Sequence, residues 1–321
     1  MRTLLPAAAA AFLAAVAPAA AQDKWPERQV NVIVPFTAGG TTDMFARILA
    51  QHMQAKFGPP FIVENRAGAA GNVGTTAVAR APKDGYTILV GTVSTHAINP
   101  FLYKNLPHDT EKDFQPVSLI ARLPNLLVVH PRIPAKNVSE LIEHLKANPG
   151  KLSYGSSGAG TSTHLASELF QMTTGTKMTH VPFRSSGDVM NSINGGHIDL
   201  AFDNMTLAWP QAQAGTVRAL AVSSLERSPT APDVPAVSET LKGFEATSWH
   251  GVFVPAGTPR PVVDKINAEV RRVMELPDVQ QKLKEIGAVP SPMTPEEFVD
   301  FIKAERTKWD GVVKAAGLVG N

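Results

Sequence analysis

A β-rich run that passes through a glycine loop into a helix-period run occurs twice in this chain, and it constrains the fold most. The first copy leads from residues 31–34 through VPFTAGGTTD into an amphipathic run that stops at Gly58. The second leads from residues 152–154 through GSSGAGTS into an amphipathic run over 163–172. Strands that alternate with helices in this way are typical of an α/β fold.

The same alternation continues along the rest of the chain. Short β-rich runs predict further strands at residues 61–63, 86–90, 126–129, 197–202, 219–222 and 249–254. Helix starts are predicted where a capping residue precedes proline or glutamate, at Asn137, Thr258 and Thr294. Because 321 residues exceed the size of a usual single core, two domains are expected.

The N-terminus has the pattern of a secretory signal peptide over residues 1–21. Arg2 precedes an apolar run over 4–16, and three alanines lie before a cleavage site expected near Ala21/Gln22. A membrane anchor is the alternative, but the run is mostly alanine and proline and lacks a charged stop-transfer flank. The sequence therefore predicts an exported chain.

Composition and motifs argue against several function classes. A net charge of +2 gives no basic field for nucleic acid, and the absence of cysteine excludes disulfides, a lipid anchor and cysteine-ligated metals. None of the nine histidines lies three or four residues from another. Neither the phosphate-binding G-x-x-x-x-G-K-[ST] pattern nor the dinucleotide-binding G-x-G-x-x-G pattern is present. We expect no metal and no cofactor.

Both glycine loops are candidate anion sites. Each places glycine and hydroxyl side chains before a helix, where unpaired backbone N–H groups and the helix dipole attract negative charge. Neither loop carries lysine, arginine or a cluster of carboxylates, so a carboxylate suits them better than a polyphosphate. The alternative is that both are ordinary glycine turns in front of capped helices.

Three further side chains are candidates for ligand contact. His96 and Asp203 follow predicted strands, and Arg184 has the chemistry to pair with a carboxylate. A structural histidine, an Asx-turn and an exposed arginine are the respective alternatives.

Several segments together resemble one family. They include VPFTAGGTTD, VENRAGAAGNVG, KLSYGSSGAGTSTHLASELF, HVPFRSSG and FDNM, and the similarity extends from about Trp25 to Val319. The chain resembles the Bug family, the TctC-like extracytoplasmic solute receptors of tripartite tricarboxylate transporters. This resemblance implies a periplasmic binding protein of the two-lobed "Venus flytrap" type II, each lobe a mixed sheet flanked by helices, with no catalytic activity.

The resemblance also implies domain bounds and partners. Lobe one is expected to combine residues 22–122 with 246–321, and lobe two to span 123–245, with the ligand cleft between them. The expected partners are a small carboxylate and membrane transporter subunits, and the receptor itself is expected to be a monomer. Family ligands include amino acids, di- and tricarboxylates and aromatic carboxylates, so the solute stays open.

In this family the two loops hold the ligand's carboxylate from opposite lobes. The expected ligand-binding residues here are Phe36, Thr37, Ala38, Gly40, Thr41, Asp43, His96, Ser156, Ser157, Gly158, Thr161, Ser162, Arg184 and Asp203. Two other functions stay open, a sensor that reports ligand occupancy to a membrane kinase and a periplasmic enzyme acting on a carboxylate. The enzyme would use His96 or Asp203 as acid or base, but neither loop pairs a base with a nucleophile.

Overall fold

The computed structural model describes residues 24–320, so the predicted signal peptide lies outside the described residues. Within residues 24–320, no helix is both long and apolar enough to cross a bilayer.

Eleven strands and ten α-helices alternate along the described part of the chain. The strands are β1 (Val30–Val34), β2 (Phe61–Asn65), β3 (Thr87–Thr92), β4 (Phe114–Leu123), β5 (Asn125–Val129), β6 (Ser153–Ser156), β7 (Thr179–Pro182), β8 (Leu200–Asn204), β9 (Arg218–Val222), β10 (Ser248–Pro255) and β11 (Val289–Pro290). The helices are α1 (Thr41–Phe57), α2 (Asn72–Ala79), α3 (Asn99–Leu102), α4 (Val138–Ala147), α5 (Ser162–Thr174), α6 (Ser186–Asn194), α7 (Met205–Gln213), α8 (Arg260–Glu275), α9 (Pro277–Glu285) and α10 (Pro295–Ala315).

These strands form two mixed sheets, each the centre of one lobe. The first sheet has the order β11-β4-β10-β3-β1-β2, in which β1 runs parallel to β2 and β3 while β10 is antiparallel to both β3 and β4. The second sheet has the order β7-β6-β8-β5-β9, in which β6 is parallel to its neighbours and β5 antiparallel to its own. The predicted two-lobed α/β architecture is confirmed.

The chain crosses between the two sheets at neighbouring places. Pro124 alone separates β4 of the first sheet from β5 of the second, and residues 223–247 lead back from β9 to β10. Asn125 donates its side-chain amide to the carbonyl of Ala246 (2.9 Å), and its N–H donates to Ser223 Oγ (2.8 Å). Ser223 Oγ in turn donates to the same Ala246 carbonyl (2.8 Å). The two crossings are therefore hydrogen-bonded to each other.

The helix starts follow the sequence at two of the three predicted capping sites. Asn137 accepts the N–H of Glu140 at the start of α4, and Thr294 forms a full capping box with Glu297 at the start of α10. Thr258 is not a cap, because its hydroxyl donates to the carbonyl of Pro255 and α8 begins without a side-chain cap.

Candidate functional site

A cavity lies between the two lobes, and its empty volume, including the open space at its entrance, is about 430 Å³. The first lobe lines it with Phe36, Thr37, Gly40, Thr41, Thr42, Thr92, Ser94, Ser248 and His250. The second lobe lines it with Ser157, Thr161, Ser162, Ser185, Ser186 and Asn204.

The first-lobe wall is built from the ends of three adjacent strands. The loop after β1 supplies Phe36, Thr37 and Gly40, and the start of α1 supplies Thr41 and Thr42. The residues at and after the end of β3 supply Thr92 and Ser94. Ser94 opens a single π-helical turn, Ser94–Ile98, a form of irregularity that is frequent at functional sites.

Strand β10 completes this wall with alternate residues. Because side chains alternate along a strand, Ser248 and His250 face the cavity while Trp249 packs on the other side against Phe298. The pairing of β10 with β4 is irregular between His250 and Gly251. Such bulges re-aim side chains near functional sites.

Four helices begin at the cavity. The N-cap residues of α1, α5, α6 and α7 are Gly40, Thr161, Ser185 and Asn204, and all four line the cavity. Neither α1 nor α5 has a side-chain cap from its own N-cap residue. The N–H groups of the two first turns therefore stay available to a ligand, except the N–H of Ser162, which donates to Ser94 Oγ of the other lobe. The positive ends of four helix dipoles therefore converge on one small volume.

Hydroxyl groups on both walls are set up as donors. Ser94 Oγ accepts the N–H of Ser162 (3.1 Å), and Ser185 Oγ accepts the N–H of Asp188 (3.2 Å). A hydroxyl that already accepts a backbone N–H keeps its own hydrogen for another acceptor. Ser94 and Ser185 thus each offer one O–H, from opposite lobes.

The lobes touch each other around the cavity. Thr41 Oγ1 lies 2.5 Å from Thr206 Oγ1, which joins α1 to α7, and Ser162 Oγ donates to Ser248 Oγ at 3.3 Å. Tyr103 also donates its hydroxyl to the carbonyl of Ala159 (3.2 Å). These contacts describe a closed arrangement of the two lobes.

No lysine, arginine, aspartate or glutamate of the described chain lines the cavity. Among the described residues of the wall, His250 is the one titratable side chain, and burial lowers its pKa to about 3, so the ring is neutral at neutral pH. Among residues 24–320, no group of three or more histidine, aspartate or glutamate side chains is arranged to hold a metal ion. The site offers neutral hydrogen-bond donors and helix dipoles rather than charged side chains.

Half of the residues expected from the sequence meet in this cavity. They are Phe36, Thr37, Gly40, Thr41, Ser157, Thr161 and Ser162. The hydroxyl oxygen of Thr37 is buried without a hydrogen-bond partner among the described residues.

Four other expected residues lie in or directly beside the same two loops but outside the cavity wall. Ala38 is a turn residue with no cavity contact, and Gly158 adopts a φ of +127° that side-chain-bearing residues rarely adopt. Ser156 Oγ lies 2.6 Å from His180 Nε2 behind the loop. Asp43 Oδ2 accepts the N–H of Gly39 (3.0 Å). The four residues therefore shape the loops from outside the cavity wall.

Asp43 is held by several donors. Besides Gly39, Arg47 Nε donates to its carboxylate at 2.8 Å and Asn65 Nδ2 at 3.0 Å. Burial would raise the pKa of Asp43, but hydrogen bonds from Arg47, Gly39 and Asn65 outweigh burial and hold the pKa below its usual range. The side chain of Asp43 is therefore ionised, and as a carboxylate it holds the first loop in place through Gly39.

The structure does not bring His96, Arg184 or Asp203 into the cavity wall. The His96 ring is 1% exposed and stacks on Phe253 with ring centroids 3.7 Å apart, and burial lowers its pKa well below the usual value. Arg184 is exposed and lies 3.8 Å from Asp188.

Asp203 is fully buried directly behind the wall. Its Oδ1 accepts the N–H of Asn204 at 2.6 Å. Burial raises the pKa of Asp203 to about 7, and the hydroxyl of Ser186 and the N–H of Asn204 offset only part of this effect. The buried carboxyl is therefore protonated more readily than an ordinary aspartate.

The sequence reasoning missed eight residues of the wall. They are Thr42, Thr92, Ser94, Ser185, Ser186, Asn204, Ser248 and His250. Ser185, Ser186 and Asn204 stand in segments that carried the family resemblance, and Asn204 is the neighbour of the expected Asp203. Ser248 and His250 had one signal, which is a polar residue at the first and third positions of an otherwise apolar strand.

Known proteins similar to this chain agree with this architecture. The family model of the tripartite tricarboxylate transporter family receptor, TctC, matches residues 45–318. Protein BugT of Bordetella pertussis is 34% identical over 306 residues, which cover 95% of this chain and 94% of BugT.

Two solved structures of relatives contain carboxylates. A protein of R. palustris solved with adipate is 38% identical with a TM-score of 0.90, covering 92% of this chain and 100% of that protein. MatC from Rhodopseudomonas palustris with bound malate is 33% identical with a TM-score of 0.85, covering 90% and 100%. The family model and BugT together show that the chain belongs to the TctC family of tripartite tricarboxylate transporter receptors, solute-binding proteins of the Bug type rather than enzymes.

Proposed function

We propose that this chain captures a small carboxylate in the periplasm and delivers it to the membrane subunits of a tripartite tricarboxylate-type transporter. The observation that carries this proposal is the convergence of four helix N-caps on one cavity between two lobes. Removal of residues 1–21, with cleavage near Ala21/Gln22, would release the receptor in this compartment.

The chemistry of the cavity favours a carboxylate over other anions. A carboxylate carries one charge that backbone N–H groups, hydroxyls and water can satisfy without a cation. Ser94 and Ser185 offer hydroxyl hydrogens from opposite walls, and the first turns of α1 and α5 offer N–H groups. The adipate and malate in the two relatives are carboxylates as well.

We propose lobe bounds from the membership of the sheets. Lobe one comprises residues 22–122 and 246–321, and lobe two comprises residues 123–245. In support, strands β1–β4, β10 and β11 form the first sheet and β5–β9 form the second. The bounds and the sheets differ only at Leu123, which ends β4 and pairs with Ser248 in the first sheet.

We also propose separate roles for the expected site residues. The seven in the cavity wall contact the ligand, while Ala38, Asp43, Ser156 and Gly158 hold the two loops in shape. His96 and Arg184 take part in packing and in a surface ion pair respectively.

Closure of the lobes follows from linkage. A carboxylate that touches both walls binds the closed arrangement better than an open one and shifts the population toward it. The two hydrogen-bonded crossings at Asn125 and Ala246 are the hinge about which the lobes would move.

Ligand identification is the direct test. The mature chain is purified without denaturation, retained small molecules are identified by mass spectrometry, and a panel of carboxylates is screened by thermal shift and calorimetry. A carboxylate at 100 times its Kd stabilises the fold by about 2.7 kcal/mol. Chemical turnover of the bound compound, or binding of neutral solutes only, would overturn the proposal.

A cavity-filling variant tests the location. Gly40 has a φ of −85° and space around its Cβ position, so Gly40→Leu is compatible with the backbone and places a side chain in the cavity. We expect Gly40→Leu to abolish carboxylate binding, whereas Gly311→Leu on the exposed face of α10 leaves it unchanged. If both variants bind the carboxylate equally well, the ligand site is not this cavity.

Transport and assembly need their own measurements. Sedimentation should give a monomer with and without ligand. Loss of carboxylate uptake on deletion of the receptor gene, restored by the wild-type chain and not by Gly40→Leu, would support transport. Normal uptake with a lost transcriptional response would instead support a sensor.

A further inference from the structure

His250 occupies a distinctive place in the cavity wall. It is 2% exposed, lies on β10 opposite Thr92 of β3, and its ring centroid is 5.0 Å from that of Phe45 of α1. Its Nε2 lies 3.1 Å from Thr42 Oγ1 in the first turn of α1. The ring is therefore fixed from two sides.

The other ring nitrogen, Nδ1, has no partner among residues 24–320. His250 Nδ1 is buried and makes no hydrogen bond to any of the described residues. A buried polar atom without a partner is unfavourable, so its presence in the wall of a ligand cavity indicates a group that is completed by a ligand or a bound water.

A count of hydrogens shows what the pair of Thr42 and His250 has left to offer. A neutral imidazole and a hydroxyl carry one polar hydrogen each, and their mutual hydrogen bond uses one of them. If Nε2–H donates to Thr42, the hydroxyl hydrogen and the Nδ1 lone pair remain. If Thr42 donates to Nε2, Nδ1–H remains instead. In both tautomers one hydrogen and the Nδ1 position are left for a third group.

The four helix N-caps already account for a carboxylate. One of these N-caps, that of α1, lies on the first-lobe wall, and those of α5, α6 and α7 lie on the second-lobe wall. His250 lies on β10 in the first-lobe wall, two residues from Ser248. A ligand that spans the cavity from the second-lobe helices therefore places a second part of itself near Thr42 and His250. Phe36 is the one wholly apolar side chain among the described lining residues.

We infer that Thr42 and His250 form a subsite for a second oxygen-bearing group of the ligand, so that the solute is a short carboxylate with a hydroxyl or a second carboxyl. This inference rests on the proposed function. Unsubstituted alkyl and aryl carboxylates leave Nδ1 and the spare hydrogen unpaired, and a site built for hydrogen bonds discriminates strongly against such analogues. His250 is a specificity-determining residue in this scheme.

The test compares matched ligands on matched variants by calorimetry at neutral pH. The ligands are malate, succinate, butyrate and benzoate, and the variants are His250→Phe, His250→Asn and Thr42→Val, with His52→Gln, away from the cavity, as the control. Wild-type protein should bind malate or succinate at least about tenfold more tightly than butyrate and benzoate. His250→Phe should remove this preference, so that malate and succinate lose at least about fivefold more affinity than butyrate. His250→Asn should keep part of the preference because its amide can reach the Nδ1 position.

The outcomes separate this inference from the proposed function. If wild-type protein binds carboxylates but His250→Phe weakens all of them equally, the subsite is wrong and the receptor function stands. Equal wild-type affinity for butyrate and malate has the same meaning. If no carboxylate binds the wild type, the proposed function fails and the subsite with it. Thermal unfolding of each variant checks folding, and Thr42→Val carries the test if His250→Phe does not fold.

Discussion

Thr41 and Thr206 face each other across the boundary between the lobes, with their hydroxyl oxygens 2.5 Å apart and both residues buried. Thr41 is the first residue of α1 in one lobe, and Thr206 lies in the first turn of α7 in the other. Opening of the lobes breaks this hydrogen bond. The pair is therefore a contact of the closed arrangement alone, and it links the positions of two helix N-termini that line the cavity.

We expect Thr206→Val to weaken ligand binding without touching the cavity wall. Loss of one net hydrogen bond costs the closed form about 1 kcal/mol, which lowers apparent affinity roughly fivefold because fewer molecules are closed. Calorimetry measures the affinity, and small-angle scattering measures a larger radius of gyration in the absence of ligand. Thr173→Val, which removes a hydroxyl bonded within α5, is the control and should change neither. An unchanged Kd would show that the pair does not bias closure.

Asn125 connects the crossings to the cavity. Its Oδ1 accepts the side-chain amide of Asn204 at 2.6 Å, and its own amide holds Ala246 at 2.9 Å. Asn125→Ala removes both bonds, and the buried Asn204 amide left unpaired should lower the free energy of unfolding by about 1–3 kcal/mol. Because Asn204 is the N-cap residue of α7 in the wall, affinity should fall as well.

Urea unfolding and calorimetry on the same preparation test the two effects of Asn125→Ala. Asn148→Ala, which removes an amide bonded to the carbonyl of His144 at the end of α4, is the matched control for losing an asparagine. Loss of stability with full affinity would limit Asn125 to a structural role.

The sequence was sufficient to locate the two glycine loops, because each is a local pattern of strand, small residues and helix. The resemblance and the alternation of elements together also gave the two-lobed α/β fold. The β10 part of the wall could not be found this way. Ser248 and His250 reach the site only because β10 inserts antiparallel between β3 and β4, a pairing of residues more than 120 positions apart. No local pattern encodes such a pairing.

The direction in which a side chain points from its strand was the second property that the sequence did not reveal. The segment FDN correctly marked a strand end, but successive residues of a strand face opposite sides. Asn204 faces the cavity, and Asp203 is buried behind it. His96 was placed at the end of β3, yet the π-helical turn after that strand turns its ring into the core against Phe253. A shift of one residue along a strand therefore decides whether a side chain lines the cavity, as Asn204 does, or is buried behind it, as Asp203 is.

Asp203 should give the unliganded fold a pH dependence of definite sign. Its folded pKa of about 7 lies above the ordinary 3.8, so the folded state binds a proton that the unfolded state has lost between these values. The stability due to this group is complete below pH 3.8 and declines as pH rises through 7, by up to about 1.4 kcal/mol per pH unit. Asp203→Asn removes this decline. Its melting temperature should therefore rise relative to wild type as pH is raised from 5 to 8.

Differential scanning calorimetry of both chains across this range measures the difference directly. Asp300→Asn, at an exposed carboxylate on α10, serves as the control and should keep a constant offset from wild type. A constant offset for Asp203→Asn too would mean that Asp203 is ionised throughout.

Two stacked histidines support the second glycine loop from behind. The rings of His164 and His180 lie 4.1 Å apart at 17°, Gly160 donates its N–H to His164 Nδ1 at 3.1 Å, and Ser156 Oγ lies 2.6 Å from His180 Nε2. Burial lowers the pKa of His164 to about 3, with a contribution from His180, and burial lowers that of His180 to about 4. Both rings are neutral where the loop has this shape.

This pair should make the receptor sensitive to acid. Because the unfolded histidines titrate near 6.5, the unfolded state binds more protons between about pH 4 and 6.5, and stability is lost as pH falls through that window. Because two histidines act against the single opposing carboxyl of Asp203, we expect a lower melting temperature and weaker carboxylate binding at pH 5 than at pH 7.5. His180→Gln keeps a hydrogen-bonding group for Ser156 but removes one titration, so its difference between the two pH values should be smaller than that of wild type. His52→Gln on α1 should match wild type, and an equally large difference in His180→Gln would assign the acid sensitivity to other groups.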